Sequence, residues 1–184
     1  MNRLTLMLLI ILLFLGLTRQ VSAEKVAGNS AIVTYNVSMQ ERENTLFVKK
    51  LAIKKVINRY SAPLSDSADS FMKTCSSYKL DCYLLPSISG LESTFGKFIY
   101  PDSFNPFGWG RGYIMFKSWD DGIEKVGKGL HYNYISKGAN SIEHIASLYS
   151  ESPTWAPRIR RFMAEFQAEE DKLRLYLSEN TVKL

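Results

Sequence analysis

The sequence predicts a mainly α-helical domain, with about six helices around one small irregular or weakly β lobe. Three observations point there. Apolar residues recur at helical spacing in six separate stretches. One stretch, 97–116, breaks that rhythm with prolines, glycines and closely spaced aromatic rings. The sustained alternation of an all-β chain, or the strand–helix repeat of an α/β one, is absent.

Residues 1–23 stand apart from that domain. Asn2-Arg3 gives a positive start, Leu4 to Leu17 is almost wholly apolar, and Val21-Ser22-Ala23 fits a small-residue cleavage site. The run is short for a spanning helix, which needs about 20 residues. It reads as a secretory signal peptide, with an uncleaved N-terminal anchor as the alternative, and either makes the chain an exported one: secreted, periplasmic or cell-wall associated. Residues 24–45 are polar and mixed, with a weak strand-like alternation over 31–37, and read as a spacer. The domain proper is expected over 46–178.

Its first helix spans Leu46 to Tyr60, with apolar residues at 46, 47, 51, 53, 56, 57 and 60. Lys49, Lys50, Lys54 and Lys55 occupy the other side, a pattern typical of a solvated face over a core. Pro63 stops this helix, and Ser65 or Asp66 can cap the next. That next helix covers Asp69–Tyr78, and Lys79-Leu80-Asp81 turns the chain. Asp81 can cap a third helix, in which Leu84, Leu85, Ile88 and Leu91 share a face, Pro86 fits the first turn and Gly96 the stop. After the aromatic segment, Ser118 can cap a helix from Trp119 to about Ser136, with Asp120 and Asp121 favourably in its first turn. Gly138 ends it. Ser141 caps a short helix to Tyr149, and a long final helix runs from Trp155 to about Leu177.

Composition limits the function. Removing residues 1–23 takes away Arg3 and Arg19 and no acid, lowering the formal charge of +5 by two. The remaining cations are dispersed, so no basic stripe argues for nucleic acid. Two cysteines, Cys75 and Cys82, in an exported chain favour a disulfide closing a small loop. Two cysteines and two distant histidines, His131 and His144, do not make a metal cluster. No cofactor motif and no oligomerisation signal occurs, so a cofactor-free monomer is expected.

Glu92 is the residue that asks for a chemical explanation. It would lie in the last turn of a short buried helix, beside Leu91 and Phe95. The negative end of the helix dipole and desolvation would both favour its protonated form. A carboxylic acid that keeps its proton is what general acid catalysis needs. Beyond it, Phe104, Phe107 and Phe116 are expected to fill the small lobe's own core, while Trp109 and Tyr113 are candidates for an aromatic wall on which sugar faces stack.

Glu-Ser-Thr-Phe-Gly at 92–96, Asn-Pro-Phe-Gly-Trp-Gly at 105–110 and Phe-Lys-Ser-Trp-Asp-Asp-Gly-Ile at 116–123 form an ordered series. It resembles the glucosaminidase and lytic-transglycosylase branch of the lysozyme-like superfamily, over roughly residues 60–170. The resemblance implies a lysozyme-like domain whose small lobe forms a cleft. It implies Glu92 as proton donor, Ser93 supporting the site by hydrogen bonding, and Tyr149 steadying the carboxyl or the developing positive charge. It also sets Asn105 and Phe107 of the Asn-x-Phe-Gly turn, with Trp109 and Tyr113, at the substrate. The implied substrate is the glycan of peptidoglycan, cut at a β-1,4 bond next to an N-acetylated sugar. A second carboxylate at a defined separation is not evident, since Asp102 looks like a turn residue. Hydrolysis and anhydro-sugar formation both stay open, with a slight preference for the glucosaminidase-like outcome. Two other readings remain: a non-catalytic glycan-binding module on the same scaffold, and a surface-interaction protein using the Lys49–Lys55 face.

Overall fold

The structure is a computed structural model of the chain. It describes the backbone of residues 23–181 and the side chains of residues 38–179. The expected export segment lies outside the described residues, save for its last position. Among the described residues there are six α-helices: α1 (Ala23–Arg59), α2 (Ala68–Tyr78), α3 (Leu84–Ser93), α4 (Trp119–Asn133), α5 (Ile142–Tyr149) and α6 (Trp155–Thr181). Single 3-10 turns occupy Pro63–Asp66 and Ile135–Lys137. The fold is mainly α, and no strand occurs among the described residues. The chain divides into two units, Met1–Glu43 and Asn44–Leu184, and the second holds the candidate site.

Three expectations about the start of the chain need correction. The stretch 31–37 is helical, not strand-like, because α1 already begins at Ala23. The buried face of α1 is centred on Val48, Ala52, Ile53, Val56 and Ile57, while Phe47 is 54% exposed. Small Ala52, which contributes little to an apolar count, sits at the centre of the contact. The four lysines are not a free basic face either. Each meets an acid: Lys49 with Glu170, Lys50 with Asp69, Lys54 with Asp66 and Lys55 with Glu169.

Capping follows the sequence closely at α4 and α5. Ser118 Oγ accepts from the Asp121 N–H at 3.2 Å, and Ser141 Oγ from the His144 N–H at 3.1 Å. The start of α2 differs: Pro63–Asp66 form their own 3-10 turn and Ser67 is the cap residue, without a side-chain bond. Asp81 Oδ1 accepts from the Tyr83 N–H at 2.8 Å, just outside the first turn of α3. Cys75 and Cys82 are joined by a disulfide, tying the end of α2 to the approach of α3.

Helix α3 is the central element. Leu84 through Gly90 are all buried, as expected of a helix that is apolar or small on every side. Pro86 is its third residue, where a missing N–H leaves no intrahelical bond unmade. Helix α3 packs on α6, α2 packs on α4, and α5 packs on α6. The helix stops earlier than Gly96. Thr94 and Phe95 take left-handed conformations, with φ of 51° and 56°. Such residues cost roughly 1–2 kcal/mol each. Burial of the Phe95 ring against Tyr60, Phe162 and Phe166 offsets that cost.

Candidate active site

The end of α3 meets three other pieces of chain. Glu92 stands in the last turn, and its Oε1 accepts from the Trp155 indole Nε1–H at 2.9 Å. Trp155 opens α6 and is only 3% exposed, so its N–H is spent on this carboxylate. A Cβ built on Gly108 would lie 3.7 Å from Glu92 Oε2. The loop backbone therefore runs alongside the second oxygen, in a left-handed conformation (φ 63°) that suits glycine. The expected desolvation of Glu92 is absent. The residue is exposed, because Phe95 turns inward to the core and Leu91 is only half-buried.

Ser93 is buried and binds in two directions. Its Oγ donates to the Pro106 carbonyl at 2.8 Å, shared with the Ser89 carbonyl at 3.0 Å, and accepts from the Gly96 N–H at 2.9 Å. It thus joins the end of α3 to the start of the glycine-rich loop. Asn105 organises that loop from within. Its Nδ2 donates to the carbonyls of Trp109 (2.8 Å) and Ile114 (3.1 Å), and its Oδ1 accepts from the Trp109 N–H (3.1 Å). With donors and acceptor engaged and the side chain buried, Asn105 shapes the loop instead of meeting a ligand.

Phe107 is a core residue, as its aromatic neighbours suggested, and not the substrate contact that the resemblance implied. Its ring is 1% exposed and part of the main core. It reaches the site only through its carbonyl, which accepts from the Tyr149 hydroxyl at 2.8 Å. Tyr149 lies between Trp155 and Trp109, with ring centroids 5.0 and 5.9 Å away. Burial pushes its phenol well above the usual value, and the Glu92 carboxylate and Tyr134 add to the shift. The phenol is therefore a donor at any ordinary pH, and its proton serves the loop carbonyl.

Trp109 is half-buried and lies against α4 at Gly129, where a Cβ would come within 2.8 Å of the indole. Tyr113 stands apart from this cluster. It is 72% exposed, and its ring meets Tyr100 at 6.1 Å. Glu92, Ser93, Tyr149 and Trp109 are thus brought together, Asn105 and Phe107 support them from behind, and Tyr113 lies outside. The concavity of about 470 Å³ lined by Lys79, Leu84, Ile142, Arg160 and Met163 involves none of them.

Sequence reasoning missed Trp155 as the partner of Glu92, and Tyr134 as a neighbour of Tyr149. One signal was available: a buried tryptophan needs an acceptor for its N–H, and Trp155 begins a helix whose next apolar positions face the core. Among the described residues, no three His, Cys, Asp or Glu side chains are grouped to hold a metal. None of the described helices is long and apolar enough to cross a membrane. No family model matches the chain, and a search of curated proteins finds no match to it.

Proposed function

We propose that this protein is an exported glycosidase that cleaves peptidoglycan glycan strands at β-1,4 bonds next to N-acetylated sugars. The observation that carries the reading is Glu92. It is an exposed carboxylate on a buried helix end, with one oxygen held by a buried indole and the other beside a glycine backbone. A group fixed at Oε1 and open to solvent presents one defined oxygen for proton transfer. The half-buried Trp109 ring beside it is the flat apolar face open to a sugar, with Tyr149 and buried Trp155 backing the site. The resemblance of 92–96, 105–110 and 116–123 to glucosaminidases and lytic transglycosylases supplies the substrate class and the lysozyme-like cleft.

In this mechanism protonated Glu92 gives its proton to the glycosidic oxygen as the bond breaks and positive charge develops on the sugar ring. The neighbours of the carboxylate are aromatic or glycine, and two routes finish the reaction without a second acid. The substrate's acetamido oxygen can capture the charged centre before water enters. Alternatively Glu92, now ionised, takes a proton from the sugar's own 6-hydroxyl, which closes a 1,6-anhydro ring. The glucosaminidase-like hydrolysis is the reading preferred here.

Mass spectrometry of purified peptidoglycan after incubation with the protein tests this. Products of normal hydrated mass are expected. Products lighter by one water would replace hydrolysis with anhydro-ring formation. Intact glycan strands across several wall types, from a folded sample, would reduce the protein to a glycan-binding module.

A further inference from the structure

The exposed part of the 97–117 segment has no role in the chemistry above. It exposes five large apolar side chains. Phe98 is 75% exposed, Tyr113 72%, Met115 53%, and Tyr100 and Ile114 are also open. Single exposed apolar residues need no explanation, but a group of them on one loop marks an interaction site. These are also held outward by the fold. The Phe98 N–H bonds the Ser93 carbonyl at 3.0 Å, the Phe116 N–H bonds the Ser103 carbonyl at 2.8 Å, and Asn105 fixes the Ile114 carbonyl. The Tyr100 and Tyr113 rings meet edge to face, linking the two halves of the segment.

We infer that this surface docks on an anionic lipid membrane. Charge is the deciding feature. Lys97 and Arg111 are exposed beside the apolar group and make no ion pair among the described residues, in contrast to the paired lysines of α1. Exposed Lys117 follows Met115 and Phe116, and Asp102 is the one acid between 97 and 117. Phenyl, phenol, Ile and Met side chains flanked by unpaired cations match the boundary between anionic headgroups and acyl chains. A sugar surface fits less well. Ile114 and Met115 offer neither a ring to stack nor a hydrogen bond. Stable membrane attachment usually takes two signals, and the apolar run Leu4–Leu17 is the other one in the sequence. This inference does not depend on the Glu92 chemistry.

Hydroxyl-radical footprinting of the full chain, read by mass spectrometry of the peptides Phe98–Arg111 and Gly112–Lys117, tests it. Phosphatidylglycerol-containing vesicles should protect Tyr113 and Met115, and pure phosphatidylcholine vesicles should protect them far less. The α2 peptides should label equally throughout, which reports an intact fold. In Lys97→Gln/Arg111→Gln the docking equilibrium should move about 30-fold toward the free loop, returning Met115 labelling towards its lipid-free level. Four outcomes would overturn the inference: labelling of Met115 unchanged by vesicles while residues 4–17 are protected, equal protection by both lipids, protection by isolated glycan strands without lipid, or protection that grows with protein concentration alone.

Discussion

Glu92 and Trp155 lie 63 positions apart in the chain and meet at 2.9 Å. That bond orients the carboxylate, and a hydrogen bond to a charged group contributes about 1.5–3 kcal/mol. Trp155→Phe keeps most of the buried ring and deletes the donor. It should lower kcat roughly 10–100-fold with little change in KM, since the carboxyl oxygen would no longer be fixed. Steady-state kinetics on solubilised glycan strands separate the two constants. Tyr149→Phe removes the bond to the Phe107 carbonyl, which contributes about 1 kcal/mol. It should lower the unfolding free energy by that amount, read from the shift of the denaturant midpoint at unchanged slope. The sequence placed Glu92 correctly in the last turn of a helix, because Pro86 and the apolar spacing are local signals. It could not show Glu92's exposure or its Trp155 partner. Both depend on where Phe95 turns after a left-handed pair and on how α6 lies across α3.

At the scale of elements, the loop after α3 is held by one side chain. Asn105→Ala deletes three hydrogen bonds and should cost about 2–3 kcal/mol. The local consequence is sharper: hydrogen exchange at the Trp109 amide should become much faster, while amides inside α3 stay protected. The disulfide acts on a short loop with a sequence separation of 7. Replacing Cys75 and Cys82 by serine should destabilise the protein by roughly 2–3 kcal/mol in urea. Helix starts were legible because caps are written locally, as at Ser118 and Ser141, whereas Gly138 does not end α4 as expected: α4 stops at Asn133, and Gly138 closes the separate 3-10 turn Ile135–Lys137. The face of α1 was misjudged at Phe47, which is exposed, because counting apolar residues favours a large ring over small Ala52. α1 and α6 meet through Val48, Ala52 and Leu173 and through the Lys49–Glu170, Lys55–Glu169 and Arg59–Glu169 pairs, which join cations read as a solvated face to acids far along the chain.

The whole molecule is closed by that charged seam. Buried Glu170 receives bonds from the Tyr83 hydroxyl, Lys49 and Arg174, and Glu169 meets Arg59 and Lys55. Burial alone would raise both acids. The hydrogen bonds outweigh it and hold both below the ordinary carboxylate value. A lowered acid stabilises the fold above its unfolded value, about 4.3 for glutamate, and that contribution is lost as pH falls through the folded value. Stability should therefore decline on acidification below about pH 4. Glu170→Gln should be less stable by about 1–2 kcal/mol at neutral pH, with a flatter acid limb, since its cationic partners are half-exposed. Urea midpoints measured from pH 3 to 7 on both proteins check this.

The central claim is that Glu92 moves the proton that breaks the glycan bond. The most direct measurement compares the wild-type protein with Glu92→Gln on the same purified peptidoglycan, following release of soluble fragments alongside a thermal melt. Gln keeps an oxygen for Trp155 and the residue is exposed, so the melting temperature should be unchanged. Turnover should fall by at least about 10²–10⁴-fold, the usual contribution of a general acid. A Glu92→Gln protein that released fragments at the wild-type rate would contradict the account.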